Sequence, residues 1–209
     1  AVAGIRSGLK RERHWQEKPQ EVDVYMAKQD ALAVLETCDV KIKTVQVVPG
    51  APSYYHPGRS GKLCLGPQTL LGYFGEFHPT IIKLFGLKER AVGFEIFINA
   101  LPLPRSSQAK PLKLSALQPV SRDFAFIVQA STPAGTVVSA IEKADKVHIQ
   151  DITIFDVYQG PGIEQGYKSL GLTVILQPEK ESFTEKDLSS ISEKIVHSVE
   201  KSVKGRLRA

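Results

Sequence analysis

The fold of the second half of this chain is set by one stretch, Gly166-Tyr167-Lys168-Ser169-Leu170-Gly171-Leu172-Thr173-Val174-Ile175-Leu176-Gln177. Large apolar residues occupy every second position from Leu170 to Leu176, which is the alternation of a strand with one buried face. A slip of one residue would turn every side chain to the wrong face, so this pattern fixes the orientation of the strand. Tyr167, Ser169, Gly171 and Thr173 must then share the opposite face.

The segments on both sides of this strand complete a β-α-β-β-α-β order. We predict strands at 122–128, 148–158, 167–177 and 206–208, and helices at 133–145 and from the cap Thr184 to the stop at Gly205. The apolar stripe of the last helix is Leu188, Ile191, Ile195 and Val199, at spacings of three and four. The order is that of a ferredoxin-like sandwich, an α+β fold whose helices cover one face of the sheet.

Alternation also assigns faces to the two other long strands. Phe124, Phe126 and Val128 should point inward, which leaves Asp123, Ala125 and Ile127 outward. In the strand that ends before Gln159, we expect Phe155 and Val157 to form the core pair. That choice turns outward Ile152, Ile154, Asp156 and Tyr158. The outward face then carries two tyrosines, a carboxylate, a hydroxyl and small residues.

Such a face could bind one unstacked nucleobase. An aromatic ring such as Tyr158 provides stacking worth about 1–3 kcal/mol per base. The Asp156 carboxylate can accept from the N–H donors on the edge of a guanine, whereas a phosphate-binding surface would exclude it. The alternative interpretation is structural: Tyr158 covers a partly exposed sheet and Asp156 caps a nearby turn.

The first half is predicted to be a mixed α/β domain. A helix over 22–38 is indicated by helical spacing of apolar residues behind the cap Asp23, and strands are indicated at 45–48, 63–65, 69–77 and 91–101. We expect an irregular segment at 50–61. The proline- and serine-rich stretch after Leu101 predicts a domain boundary at Pro104, a linker at 105–114 and a second domain at 115–209.

Composition excludes several classes of protein. Of the 209 residues, 42% are hydrophobic and 23% are charged, which is typical of a globular chain rather than a disordered one. No apolar run approaches the roughly 20 residues of a membrane helix. Cys38 and Cys64 are too few for a disulfide framework, and we expect both to be ordinary buried residues in a cytoplasmic protein. The net charge of +5 permits a nucleic-acid partner without requiring one.

Both halves resemble one family. The second half resembles the ferredoxin-fold anticodon-binding domain that closes the β subunit of bacterial phenylalanyl-tRNA synthetases, and the first half resembles the class II synthetase-like module that precedes it. The motifs that carry the resemblance are Pro119–Val128, Phe155-Asp156-Val157-Tyr158-Gln159-Gly160, Gly166–Leu170, Phe183-Thr184-Glu185, Leu207-Arg208, Tyr55–Gly61, Gly72–Pro79 and Phe94-Glu95-Ile96.

The resemblance implies a C-terminal fragment of a longer subunit. In the family, positions matching Ala125, Asp156, Tyr158 and Ser169 receive the first anticodon base of tRNA(Phe), a guanine. Arg122 is a candidate for a phosphate contact. Tyr167 departs from the polar residue usual in the family and is a candidate second stacking surface. The first half would be non-catalytic and serve assembly with the α subunit in an α2β2 enzyme that uses ATP and Mg²⁺, with neither cofactor bound by this fragment and no membrane partner.

Two other functions remain open from the residues alone. His14, His56 and His78, with Glu76 near the last, invite a metal or hydrolase interpretation, but they lack the spacing of a catalytic zinc site. His56 and His78 each precede a proline, which favours structural loop positions. The other alternative is a protein-interaction module whose open sheet docks another subunit without contacting RNA.

Overall fold

The computed structural model describes residues 1–102 and 115–208. The chain divides into two compact units, one containing residues 1–102 and the other residues 115–208. The predicted boundary at Pro104 and the predicted linker at 105–114 fall outside the described residues, so both stay predictions. None of the helices in the two described ranges is long and apolar enough to cross a bilayer.

The first unit is a five-stranded antiparallel sheet with a helix packed on one face. Its strands are β1 (Val2–Ser7), β2 (Val45–Val48), β3 (Tyr55–Leu65), β4 (Thr69–Phe77) and β5 (Ala91–Ile96), in the order β1-β5-β4-β3-β2. Its helices are α1 (Val24–Thr37) and α2 (Pro79–Leu84), with short 3₁₀ turns at Ile42–Thr44 and Ile98–Ala100.

Helix α1 begins and packs as its sequence predicts. The Asp23 carboxylate accepts a hydrogen bond from the Met26 backbone N–H at 2.9 Å, which caps the first turn. Ala27, Ala31 and Leu35 recur at a spacing of four and are fully buried against the sheet. The helix and the strands at 45–48 and 69–77 are therefore confirmed.

Two predictions for the first unit were incomplete or wrong, and two of its elements were missed. The segment 50–61 is not irregular throughout, because β3 starts at Tyr55; its register shifts between Tyr55 and Ser60, and such an irregularity accommodates a proline and a glycine inside a strand. The strand expected at 91–101 ends at Ile96, where the chain turns into a 3₁₀ segment. Strand β1 and helix α2 were not predicted.

The second unit is the predicted ferredoxin-like sandwich. Its strands are β6 (Val120–Gln129), β7 (Ile149–Tyr158), β8 (Tyr167–Leu176) and β9 (Arg206–Leu207), in the order β7-β8-β6-β9, and its helices are α3 (Ala134–Ala144) and α4 (Glu185–Val203). All pairings are antiparallel. Both helices pack on one face of the sheet, where their apolar stripes meet the inward side chains of β6 and β8.

The core of the second unit confirms the predicted stripes. Leu188, Ile191, Ile195 and Val199 of α4 are buried, as are alternate residues of β8 from Leu170 to Leu176. Thr184 and Asp187 form a reciprocal capping box at the start of α4. At its end, Lys204 adopts the left-handed conformation (φ 52°), and Gly205 lies so close to Val128 that a Cβ there would be 2.9 Å from a valine methyl.

The predicted faces of β7 are partly wrong. Residues opposite each other on paired strands share a face, and Ile152 and Ile154 pair with Val174 and Leu172 of the core. Ile152 and Ile154 therefore face the helices rather than solvent.

A β-bulge is the physical reason for this error. The register shifts between Ile154 and Asp156, so Phe155 is an extra residue without a partner in β8. Phe155 is 60% exposed and is not part of the core, and Val157, although on the helix side opposite Leu170, is 59% exposed on this edge strand. Beyond the bulge, Asp156 and Tyr158 face outward as predicted.

Candidate nucleic-acid interface

The face of the second sheet that the helices leave uncovered carries most of the predicted site residues. We call it the open face; it is formed by Asp123, Ala125, Ile127, Thr153, Asp156, Tyr158, Tyr167, Ser169, Gly171 and Thr173. Two rows cross it in register. One row runs Asp156, Gly171, Ala125, and the next runs Tyr158, Ser169, Ile127. The fold thus brings Ala125, Asp156, Tyr158, Tyr167 and Ser169 onto one surface.

Tyr158 is held at the end of β7 by the loop that follows it. Its hydroxyl donates to the Pro161 carbonyl oxygen at 3.1 Å. Gly160 allows the loop to approach the ring, because a Cβ there would lie 2.7 Å from the hydroxyl oxygen. The ring is partly exposed, so its orientation is fixed while it remains accessible for stacking.

Asp156 presents a free carboxylate beside this ring. The side chain is exposed, and no residue of the described ranges gives it a hydrogen bond or an ion pair. Asp123 on the same face is different, since its carboxylate accepts from the Thr173 hydroxyl at 2.7 Å. Asp156 therefore retains its full capacity to accept hydrogen bonds from a ligand.

Ser169 is on the predicted face but is not open to solvent. Only 2% of its surface is exposed, because it lies between Tyr158 and Ile127 on the two neighbouring strands. The prediction that it looks out at solvent was wrong for this reason.

Arg122 lies apart from the other predicted site residues. It pairs with Val174, a core residue, and so belongs to the face that the helices cover. Lys168 is likewise on the helix side, opposite Val128, and burial lowers its pKa. Tyr167 is half-buried at the edge of the open face, opposite Gln129.

Arg208 is a site residue that the sequence reasoning missed. Its backbone N–H donates to the Ala125 carbonyl oxygen at 2.7 Å, which aligns it beside β6. Its guanidinium carbon lies 5.9 Å from the centroid of the Tyr158 ring, at the far side of the sheet. The alternation of side chains along β9 could have shown that Arg208 faces outward. Leu207 faces the helix side, so its neighbours Arg206 and Arg208 must point to the opposite face.

The histidines of the first unit have local structural roles. His78 caps α2 by accepting from the Thr80 backbone N–H, and His56 accepts from the Gly58 N–H at 3.1 Å. Glu76 is buried and bound by Arg59 at 2.8 Å and by Arg90 at 3.6 Å. Within the described ranges, no three His, Cys, Asp or Glu side chains come together as metal ligands would.

The two cysteines are not buried as predicted. Cys38 follows the last turn of α1 and is exposed, and Cys64 near the end of β3 is partly exposed. Cys38 is the C-cap residue, three residues beyond Leu35, where the buried stripe of the helix ends. Its position at the C-cap, rather than its apolar character, decides its exposure.

Comparison with known proteins matches both units. Residues 1–98 match the phenylalanyl tRNA synthetase beta chain CLM domain, and residues 115–208 match the ferredoxin-fold anticodon binding domain. Among similar proteins are phenylalanine–tRNA ligase beta subunits from Rhodospirillum rubrum (43% identical over 100% of this chain and 26% of the relative), Bradyrhizobium diazoefficiens (42%, 100% and 27%) and Paramagnetospirillum magneticum (44%, 99% and 26%).

The match extends over the whole chain, whereas the chain spans about a quarter of the length of these curated relatives. Two family models in the same order as the two folded units, together with identities above 40%, leave no ambiguity about kinship. The chain belongs to the phenylalanine–tRNA ligase beta subunit family, of which it carries the CLM domain and the ferredoxin-fold anticodon-binding domain.

Proposed function

We propose that residues 115–208 bind the anticodon of tRNA(Phe) and that the open face holds its first base, a guanine. One observation carries the proposal: the unpartnered Asp156 carboxylate lies two residues from the fixed Tyr158 ring on the same face, with the Arg208 guanidinium carbon 5.9 Å from the ring centroid. A π surface, an acceptor and a cation are the three groups that one nucleotide requires.

Each side chain has a separate role in this proposal. Tyr158 stacks on the guanine, and Asp156 accepts from its N1–H and N2–H donors. Ala125 leaves room for the base, and the Ser169 hydroxyl, beneath the site between Tyr158 and Ile127, is the remaining hydrogen-bonding group. Arg208 lies where a phosphate or the upper face of the base would meet it.

Arg122 and Tyr167 have peripheral roles in the proposal. Arg122 is limited to phosphates outside the open face, since its strand position turns it to the helix side. Tyr167 provides a further aromatic surface at the end of β8.

The test is binding of the whole chain to an anticodon stem-loop carrying G-A-A, beside a loop in which the guanine is replaced by adenine. We expect a preference for guanine that Tyr158→Ala reduces by about 1–3 kcal/mol. Tyr25→Ala, in α1 of the first unit and more exposed than Tyr158, is the control for loss of a surface tyrosine and should change nothing. Fluorescence anisotropy at fixed low salt measures each affinity, because phosphate contacts weaken as salt rises.

Equal binding of both loops, unchanged by Tyr158→Ala, would contradict the proposal. In that case the open face docks another subunit, and the same variant should weaken assembly instead.

We further propose that the first unit contacts the α subunit of an α2β2 phenylalanine–tRNA ligase. Leu84 and Phe85, at the end of α2, are 75% and 72% exposed side by side, and such an apolar pair favours a protein contact. The whole enzyme would activate phenylalanine with ATP and Mg²⁺ in the cytoplasm and esterify it to tRNA. This chain would supply no catalytic residue and bind neither cofactor.

A further inference from the structure

Phe155 places a further aromatic ring on the open face, in addition to Tyr158 and Tyr167. As the bulged residue of β7 it has no partner in β8, and 60% of its surface is exposed. Its ring crosses onto the central strand: a Cβ at Gly171 would lie 2.8 Å from Cε2 and 2.9 Å from Cζ of this ring. Only a glycine at 171 lets the ring lie there.

The spacing of the two rings suits neighbouring nucleotides that are not stacked on each other. Tyr158 pairs with Ser169, and the Phe155 ring lies over Gly171, two residues further along β8. Two residues of a strand span about 6.6–6.8 Å. This is roughly twice the 3.4 Å rise of stacked nucleotides, so bases on the two rings must be splayed apart. Splayed bases are what single-stranded loops offer to sheet aromatics.

The charge on this face fits a nucleic-acid strand better than an apolar partner. Arg206 and Arg208 both turn toward the open face at its β9 edge. Arg206 is only loosely paired with Glu164, at 3.8 Å between two exposed side chains, and Arg208 lies near Tyr158. The two guanidinium groups can follow a phosphate backbone while the rings hold its bases.

We propose that Phe155 is a second stacking surface, which holds the nucleotide next to the guanine on Tyr158. The inference rests on the proposed anticodon function, in which the Asp156 carboxylate recognises the guanine stacked on Tyr158. Asp156 itself lies opposite Gly171, the glycine that the Phe155 ring covers. The Phe155 ring contributes a π face on which any base can stack, so it requires only that a base be present.

The test uses the whole chain, the G-A-A stem-loop and the variants Phe155→Leu and Phe155→Tyr. Phe155→Leu keeps an apolar cover over Gly171 but removes the aromatic face, and we expect it to weaken binding about 5- to 100-fold. Phe155→Tyr keeps the face and should bind within about twofold of the unsubstituted chain. Val157→Ala is the matched control, because Val157 is 59% exposed two residues away but on the helix side.

A second measurement removes the base instead of the ring and does not depend on how a variant folds. Stem-loops made abasic at each of the two adenine positions in turn are titrated with the unsubstituted chain. One of the two abasic loops should bind the unsubstituted chain more weakly than the G-A-A loop, by the same factor by which Phe155→Leu weakens binding of the G-A-A loop. On that abasic loop, Phe155→Leu should cause no further loss of affinity. Replacing that adenine with another base should restore binding.

The outcomes separate this inference from the proposed function. If the guanine preference persists and depends on Tyr158, while Phe155→Leu binds like the unsubstituted chain, the second surface is overturned and the anticodon function stands. The inference would also be overturned if the affinity lost through Phe155→Leu and the affinity lost through an abasic position simply added when the two changes were combined. If the unsubstituted chain binds no loop, both proposals fail together.

Discussion

At the scale of single residues, two glycines show that one added methyl group has different consequences at different places in a sheet. A Cβ at Gly72 would overlap the backbone carbonyl oxygen of Glu95, which cannot move without disturbing β5. We expect Gly72→Ala to lower the free energy of unfolding by about 2–3 kcal/mol, measured by urea denaturation. At Gly171 the methyl group meets the exposed Phe155 ring, which can rotate away, so Gly171→Ala should cost less than about 1 kcal/mol. Equal losses at the two positions would contradict this distinction.

At the scale of elements, Asp145 joins the end of α3 to the start of β7. It accepts from the Val147 and His148 N–H groups at 3.1 and 3.0 Å, its Oδ2 is 3.0 Å from the His148 ring Nδ1, and Lys194 lies 3.7 Å away. Burial alone would raise the pKa of Asp145, but these hydrogen bonds, those of His148 first, hold it below its ordinary value. A carboxylate with a depressed pKa stabilises the fold above about pH 4, and this contribution is lost as the pH falls further.

Asp145→Asn should therefore lower the free energy of unfolding by about 1–2 kcal/mol at pH 6. The difference between the two chains should shrink as the pH is lowered from 6 to 3, which urea titrations at each pH measure. Asp187, whose pKa is also lowered, first by the Thr184 hydroxyl, is present in both chains and cancels in the comparison. A difference that does not change with pH would contradict the linkage.

At the scale of the whole molecule, each unit has a core of its own. The core of the second unit is formed mainly by side chains of β6, β8, α3 and α4, and that of the first mainly by side chains of α1, β3, β4 and β5, with no residue in common. We expect residues 115–209, produced alone, to give a cooperative thermal transition and to bind the G-A-A stem-loop within about twofold of the whole chain. The same piece should not co-purify with an α subunit, whereas the whole chain should. Loss of loop binding by the isolated piece would contradict this division of roles.

Much of the second unit was predictable because its signals are local. The stripe of α4 and the alternation of β8 each lie within one element, and a residue's neighbours in sequence determine its face there. The order of elements then allows few topologies, so the ferredoxin-like sheet followed. The first unit was less predictable, because Pro57 and Gly58 lie inside β3, where the irregular pairing with β4 that accommodates them is visible only in three dimensions.

The sequence by itself determined the family, the element order of the second unit and the outward placement of Ala125, Asp156, Tyr158 and Tyr167. Only the tertiary structure decided which of their neighbours share the site. The bulge at Phe155 reverses the alternation of β7, the side chains beside Ser169 close over it, and Arg208 reaches Tyr158 from the opposite edge of the sheet. Each of these depends on the pairing between strands that are distant in sequence, and the alternation within one strand does not show where a bulge interrupts that pairing or which side chains of the neighbouring strands lie beside it.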